Sequence, residues 1–343
     1  MTKTHPLYQE DLDRILQVKG MERLAEKRFL ITGATGMVGT CLIDALMKYN
    51  LTAKAGIAVY AVGRSRERAA SRLGEYFSSD FFHFIEQDVR DPFPESLIAD
   101  YIIPLASNTH PLAYAQYPVE TIEINVKGAE NALRKARECD ATLLYPSSVE
   151  IYGNGQEVFT ETHTGNLNLS NARACYPESK RLSEALCQSF LSEFGVNCKI
   201  VRLSRLFGPT MLETDTKASS QFILKALAGE DIILKSKGSQ IYSYTYVADA
   251  VKAMLFVLLF GESGQAYNIS GHNVQLSDFA STCATIAHRA VIYDLPTTSE
   301  AKGYSIATRA VLSIGKLSRL GWKTNRSFTE SVERTISIMK GIS

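Results

Sequence analysis

Short apolar runs alternate with longer amphipathic stretches through the first two hundred residues of this chain. Residues 28–32, 57–62, 82–87, 101–105, 142–146 and 199–203 stay apolar for about one strand length and close on turn residues, so they read as strands. Residues 37–48, 119–138 and 175–194 repeat apolar positions three and four apart, which predicts helices between those strands. This alternation predicts a parallel sheet with helices on both faces, because parallel neighbours need a crossover. Beyond Leu203 the pattern loosens. Residues 219–228, 247–260 and 276–288 read as helices, and 232–234 and 265–269 as short strands, joined by longer loops rich in Gly, Ser and Thr. The expected organisation is an N-terminal helical arm over 1–25, a parallel-sheet domain over 26–205, and a smaller α/β part over 206–343. The boundary is soft, with some elements interleaved, and the second part is expected to pack on the first.

Composition narrows the partners. A chain of 343 residues can hold one large domain with a smaller appendage, and 45% hydrophobic with 21% charged residues is ordinary for a globular protein. A net charge of +1 supplies no basic field, so no nucleic-acid partner is expected. The first twenty residues are polar and carry Glu10, Asp11 and Asp13, unlike a secretory signal. The longest apolar run, 248–260, is interrupted by Asp249 and Lys252 and is short for a bilayer, so no membrane partner is expected. Six scattered cysteines without a C-x-x-C pair fit a reduced, cytoplasmic protein without a metal site.

The first strand, Phe29-Leu30-Ile31-Thr32, runs straight into Gly33-Ala34-Thr35-Gly36-Met37-Val38-Gly39 and then a helix with Leu42, Ile43, Leu46 and Met47 apolar. Each glycine has a separate task in that context. Gly33 permits a tight turn, Gly36 lets backbone approach a pyrophosphate, and Gly39 lets the helix pack on the strand. The first helical turn, with Thr35, Met37 and Val38, offers unpaired N–H groups to the phosphates. The fold class expected is therefore α/β, a Rossmann-type doubly wound parallel sheet, and the cofactor is NADP or NAD. The second strand ends Ala61-Val62-Gly63-Arg64-Ser65-Arg66, with no acid for a ribose 2′-hydroxyl. Arg64 and Arg66 suit a 2′-phosphate, which leans the reading towards NADP. Both arginines could equally be solvated residues at a helix start.

Chemistry gathers at three strand ends. Leu105-Ala106-Ser107 closes the fourth strand, and Ser147-Ser148-Val149-Glu150-Ile151-Tyr152-Gly153 follows the fifth. Tyr176-Pro177-Glu178-Ser179-Lys180 opens the helix beyond, and a Tyr and Lys four apart share one helix face. The ammonium is expected to lower the phenol's pKa, so that a phenolate takes a proton from a substrate hydroxyl as hydride leaves for the nicotinamide. A serine from the strand end, Ser148 rather than Ser147, would hydrogen-bond the same oxygen.

From Arg28 onward the sequence resembles the extended short-chain dehydrogenase/reductase family, specifically its NAD-dependent nucleotide-sugar epimerases, dehydratases and decarboxylases. The resemblance rests on the Gly turn, Asp88-Val89, Leu105-Ala106-Ser107, Asn125-Val126-Lys127-Gly128, the segments at Ser148 and Tyr176, Gly208-Pro209, and Tyr246-Val247-Ala248-Asp249. It runs furthest with UDP-glucuronate decarboxylases, through Arg173-Ala174-Cys175-Tyr176-Pro177-Glu178-Ser179-Lys180-Arg181. The resemblance implies that Tyr176 is the acid/base, Lys180 its tuner and a ribose ligand, and Ser148 its hydrogen-bonding partner. Asp88 and Val89 would sit by the adenine, with Leu105, Ala106 and Ser107 along the cofactor. Glu150 falls where dehydratases and decarboxylases carry a glutamate near the sugar, although a solvated loop acid is its plainer reading. Asn125 would order the site from within its helix, and neither His110 nor His163 is expected to be catalytic. The resemblance also implies a homodimer through 119–138 and 175–194.

Three departures bear on the substrate. The family's asparagine before Gly-Pro is missing from Ser204-Arg205-Leu206-Phe207, its arginine after that Pro is Thr210, and its arginine before Tyr246 is missing from Gln240-Ile241-Tyr242-Ser243-Tyr244. Asn108, Arg205, Lys217, Tyr242 and Arg309 are the candidates to bind substrate instead. The function expected is modification of a nucleotide-linked sugar by Tyr-assisted hydride transfer through a transient keto-sugar. A ketoreductase that consumes external NADPH would need Tyr176 but not Glu150. A cofactor-sensing protein would need neither, so the Ser148, Tyr176 and Lys180 set argues against it.

Overall fold

The computed structural model describes residues 3–295, 309–323 and 326–341. Its strands are β1 (Arg28–Thr32), β2 (Ala58–Gly63), β3 (Phe82–Glu86), β4 (Tyr101–Pro104), β5 (Thr142–Ser148), β6 (Val158–Phe159), β7 (Cys198–Leu203), β8 (Arg205–Phe207), β9 (Ile232–Leu234), β10 (Ile241–Tyr246), β11 (Ala266–Ile269), β12 (His272–Gln275), β13 (Val291–Tyr293) and β14 (Arg309–Leu312). Its helices are α1 (Pro6–Leu16), α2 (Met37–Ala53), α3 (Arg66–Leu73), α4 (Pro111–Gln116), α5 (Pro118–Cys139), α6 (Cys175–Phe194), α7 (Ala218–Ala228), α8 (Val247–Phe260), α9 (Leu276–Ala287), α10 (Gly315–Arg319) and α11 (Phe328–Lys340).

The large sheet has seven strands in the order β3-β2-β1-β4-β5-β7-β11, all parallel. Strand order reverses between β1 and β4, and such a switch point opens a crevice at the carboxyl ends of the strands. Phe29, Leu30, Ile31 and Ile103 are fully buried there, as expected of strands covered on both faces. The seventh strand, β11, comes from beyond residue 206, so the chain returns to complete the first sheet. It does so because α8 is apolar nearly all round and packs beside β5, β7 and β11. A smaller sheet has the order β12-β10-β14-β6, with β8 paired to β10, and β9 and β13 form a separate pair.

The N-terminal segment is part of the core. Tyr8, Leu12 and Ile15 of α1 are buried against α8 and α2. Asp11, with no exposed surface, meets Arg326 at 2.8 Å and Arg334 at 2.9 Å, and accepts from the Tyr246 hydroxyl. Asp44 of α2 is equally buried and accepts from the Tyr8 and Tyr76 hydroxyls, with Lys3 at 2.7 Å.

Several elements were not evident from hydropathy. Strand β10 reads Ile-Tyr-Ser-Tyr-Thr-Tyr, yet Ser243 and Thr245 are buried. Their hydroxyls are matched, Ser243 donating to Asn273 and Thr245 sharing a bond with Ser204. Helix α3 buries only Ala69 and Leu73, and its charged remainder gives no stripe to read. Among the described residues, no helix is long and apolar enough to cross a membrane, and no cluster of His, Cys, Asp and Glu is placed to hold a metal.

Candidate active site

The Gly turn lies at the switch point, and two of its glycines are demanded by close approach. Gly33 has φ +63°, and a Cβ there would sit 2.7 Å from the backbone of Leu105 and Ala106. At Gly39 a Cβ would be 2.4 Å from the Gly33 carbonyl. Gly36 caps α2 without a side chain, and Thr35, Met37 and Val38 are half-buried beside it. The first N–H groups of α2 have no partners within the helix, which leaves them for an anion. The Thr32 hydroxyl accepts from the Ala106 N–H at 3.1 Å, binding the ends of β1 and β4 together. This cradle fits a dinucleotide: bare backbone, a helix N-terminus, and no room for a Cβ at either glycine.

The flanks of the cradle carry charge. Arg64, just after β2, pairs with Glu120 of α5 at 2.8 Å, and its side chain is more than half exposed. Arg66 lies over the Phe77 and Phe84 rings. Asp88 is held by Arg90 at 2.8 Å, which keeps its carboxyl below the usual range. Val89 is buried against Gly128, and its carbonyl accepts from Asn131.

From Ser107 a chain of hydrogen bonds runs inward. The Ser107 hydroxyl donates to Asn125 Oδ1 at 2.7 Å, Asn125 Nδ2 donates to Ser179 Oγ at 2.8 Å, and Ser179 donates to the Tyr176 carbonyl at 2.9 Å. Asn125 thus ties β4, α5 and the first turn of α6 together. Asn108 beside it donates to Thr121.

Tyr176 is buried at the head of α6, its ring stacked on Tyr114 with centroids 5.4 Å apart. Burial pushes its phenol up to about 12, a hydrogen bond with Ser148 pulls down, and the Glu150 charge pushes up. Ser148 ends β5, and its oxygen also accepts from the Glu150 N–H at 3.2 Å. Lys180 lies one turn along α6. Its Nζ donates to the Pro146 carbonyl at 2.9 Å and lies 5.0 Å over the Tyr145 ring. Burial lowers the amine itself to about 8, so its own cation is disfavoured there. The phenol therefore holds its proton at neutral pH in this state.

Glu150 is bracketed by two arginines. Arg173 reaches one oxygen at 3.3 Å and Arg205 approaches the other at 3.7 Å. The Arg205 guanidinium lies over the Tyr242 ring, 3.7 Å from its centroid, and Arg173 lies over the Tyr114 ring. Tyr114 had no signal of its own in the sequence, and Arg173 was marked only as part of the Arg173–Arg181 segment, because partners drawn from separate elements share no periodicity. Lys217 and Arg309 are engaged differently. Lys217 pairs with Asp215 at 2.9 Å, and Arg309, exposed at the start of β14, donates to the Glu157 carbonyl. Thr210, which replaces the family's arginine, accepts no such role: its hydroxyl donates to the Met37 carbonyl, and its own carbonyl accepts from Arg72.

Residues 29–270 match the model of the NAD dependent epimerase/dehydratase family. UDP-glucuronic acid decarboxylase 1 of Danio rerio is 30% identical over 323 residues, covering 93% of this chain and 74% of that protein. UDP-glucuronic acid decarboxylase 1 of Xenopus tropicalis is 32% identical over 244 residues, covering 70% of this chain; the matched part is only 56% of that protein's length. Among solved structures, UDP-glucuronic acid 4-epimerase from Bacillus cereus in complex with UDP-glucuronic acid and NAD superposes with a TM-score of 0.79 at 18% identity, over 92% of this chain and 100% of that one. A dTDP-glucose 4,6-dehydratase from Streptomyces venezuelae with NAD bound superposes at 0.76 and 21% identity, over 91% and 96%. At such identities the superpositions speak for the fold.

Proposed function

This chain belongs to the NAD dependent epimerase/dehydratase family, and from that premise we propose that it modifies a nucleotide-linked sugar through a transient keto-sugar. The observation that carries the reading is the meeting of Ser148, Glu150 and Tyr176, tied through Ser179 and Asn125 to Ser107, just beyond the Leu105–Ala106 backbone that Gly33 approaches. A dinucleotide held by the Gly33–Gly39 turn would supply the hydride acceptor and donor for the sugar. Tyr176 moves the proton of the sugar hydroxyl, and Ser148 holds the phenol oxygen in line. Lys180 anchors the turn to β5 through the Pro146 carbonyl and adds positive charge when protonated. Glu150 is the carboxylate placed to move a second proton next to the ketone. Arg64 and Arg66 favour NADP over NAD, since no acid closes β2.

The Danio rerio and Xenopus tropicalis relatives are named as decarboxylases, which supports a redox-neutral reaction over a reductase that spends external NADPH. The test is direct. Purified protein is incubated with UDP-glucuronate and catalytic cofactor, with product followed by NMR and cofactor by absorbance. A new sugar nucleotide without net cofactor loss is expected, and Tyr176→Phe should slow it by about a thousandfold. Unchanged turnover in Tyr176→Phe would remove Tyr176 from the chemistry; stoichiometric NADPH loss would favour the ketoreductase.

The homodimer and the cytoplasmic location belong to the same proposal. Helices α5 and α6 pack side by side and leave Val119, Ile122 and Leu182 exposed, a surface suited to a second copy. Light scattering tests it. All six cysteines are free and five are buried, as suits a reducing compartment.

A further inference from the structure

We infer that Arg205 is the specificity-determining residue of this site, its free guanidinium edge taking an oxyanion carried by the sugar. The inference rests on the nucleotide-sugar reading above and names the substrate class within it.

The geometry begins with two neighbouring strands. Strand β8 runs parallel to β10, with Arg205 in register with Tyr244. Tyr242 and Tyr244 are two apart on β10 and so face the same side, where their rings pack edge to face. Arg205 emerges beside them and lies over Tyr242 at 3.7 Å. The family's arginine before Tyr246 is missing from the 240–244 stretch, as the sequence showed. Adjacent strands lie about 4.8 Å apart, so a cation sent from β8 reaches the volume that one on β10 would fill. Here β10 supplies the aromatic shelf and β8 supplies the charge.

The charge is not fully met. Glu150 is shared between Arg173 and Arg205, two cations to one carboxylate. The Nη1 of Arg205 is sealed from solvent and makes no hydrogen bond among the described residues. A buried cationic donor left without an acceptor is costly, and one such group in a working site points to an acceptor that arrives with the ligand. A sugar hydroxyl would satisfy the donor but not the excess positive charge. A carboxylate does both, and the planar guanidinium matches it.

A nucleotide diphosphate carries the same oxyanion chemistry, so position decides between the two. Glu150 pairs with both Arg205 and Arg173, and Arg173 lies over the Tyr114 ring that stacks on Tyr176, so Glu150 and its two arginines sit at the phenol's end of the site. Arg205 therefore belongs to the end of the site where the sugar reacts, away from the nucleotide.

The experiment is calorimetric titration of the full chain with UDP, UDP-glucose and UDP-glucuronate. Wild type should bind UDP-glucuronate at least about tenfold more tightly than UDP-glucose. Arg205→Gln should erase that ratio while leaving UDP affinity within about twofold. Tyr242→Leu keeps the cation but removes its shelf, and should cut the ratio about threefold even if Arg205→Gln folds poorly. A ratio that survives in both folded variants overturns the assignment. So does an equal loss of UDP binding in Arg205→Gln, which would put the residue on the diphosphate. If wild type binds none of the three nucleotides, the nucleotide-sugar reading itself fails and the assignment falls with it.

Discussion

Lys180 is held in the folded protein at the expense of stability, and its replacement by Met should show this directly. The amine is buried, with 4% of its surface exposed, and desolvation brings it from its ordinary 10.5 to about 8. Each pH unit between those values is worth about 1.4 kcal/mol, so the full difference is about 3 kcal/mol. The sign follows from proton binding. Between pH 8 and 10.5 the unfolded chain holds the proton and the folded one does not. Raising pH through that window therefore stabilises the fold, and below pH 8 the full penalty is present. Lys180→Met removes the titrating group and keeps a side chain of similar length. The mutant also loses the hydrogen bond to the Pro146 carbonyl and the contact with the Tyr145 ring, together worth about 1–2 kcal/mol. Urea unfolding of both proteins from pH 7 to 10.5 gives the comparison, because other titrating groups largely cancel in the difference. At pH 7 the mutant should be more stable by about 1–2 kcal/mol while losing turnover. That advantage should shrink, and reverse, by pH 10.5. A stability difference that does not change with pH would refute the argument, since it would mean Lys180 titrates alike in both states.

Asp11→Asn should cost about 2–4 kcal/mol in urea unfolding, because Arg326 and Arg334 would keep only the more exposed Glu330 and Glu10 as partners; a loss below about 1 kcal/mol would count against the network's importance. Gly39→Ala places a methyl against the Gly33 carbonyl and should abolish cofactor binding by fluorescence titration, even in protein that still folds at low temperature. Arg64→Asp should move preference from NADP towards NAD by at least about tenfold in relative Kd while leaving the melting temperature nearly unchanged, since the Glu120 pair it breaks is exposed. Asn125→Leu cuts the Ser107–Asn125–Ser179 path and should lower kcat about tenfold with little change in KM, because the path positions Tyr176 without touching substrate.

Much of the fold could be read along the chain. Phe29 to Ile31 is apolar throughout, and Thr32 leads into a glycine whose positive φ suits a tight turn, so strand, turn and helix follow locally. The same holds for Ser148 at a strand end and for Tyr176 and Lys180 on one helix face. These are relations within a few residues, set by period and by the allowed conformations of glycine. Helix α1 was legible as helix but not as core. Its Asp11 is stabilised by Arg326 and Arg334 more than three hundred residues away, and nothing local marks that partnership.

The site divides along the same line. Sequence alone determined the cofactor cradle, because backbone geometry and missing Cβ atoms are properties of single residues. It also marked Ser148, Tyr176 and Lys180 as candidates. Only the tertiary structure decided what surrounds them. Burial pushes the Tyr176 phenol up to about 12, and burial is a sum over many elements. The pairing of β8 with β10 brings Arg205 onto Tyr242, and the loop before α6 brings Arg173 to Glu150. Electrostatics at a site depends on distances in three dimensions, and strand register across the second sheet is written in no short stretch of the chain.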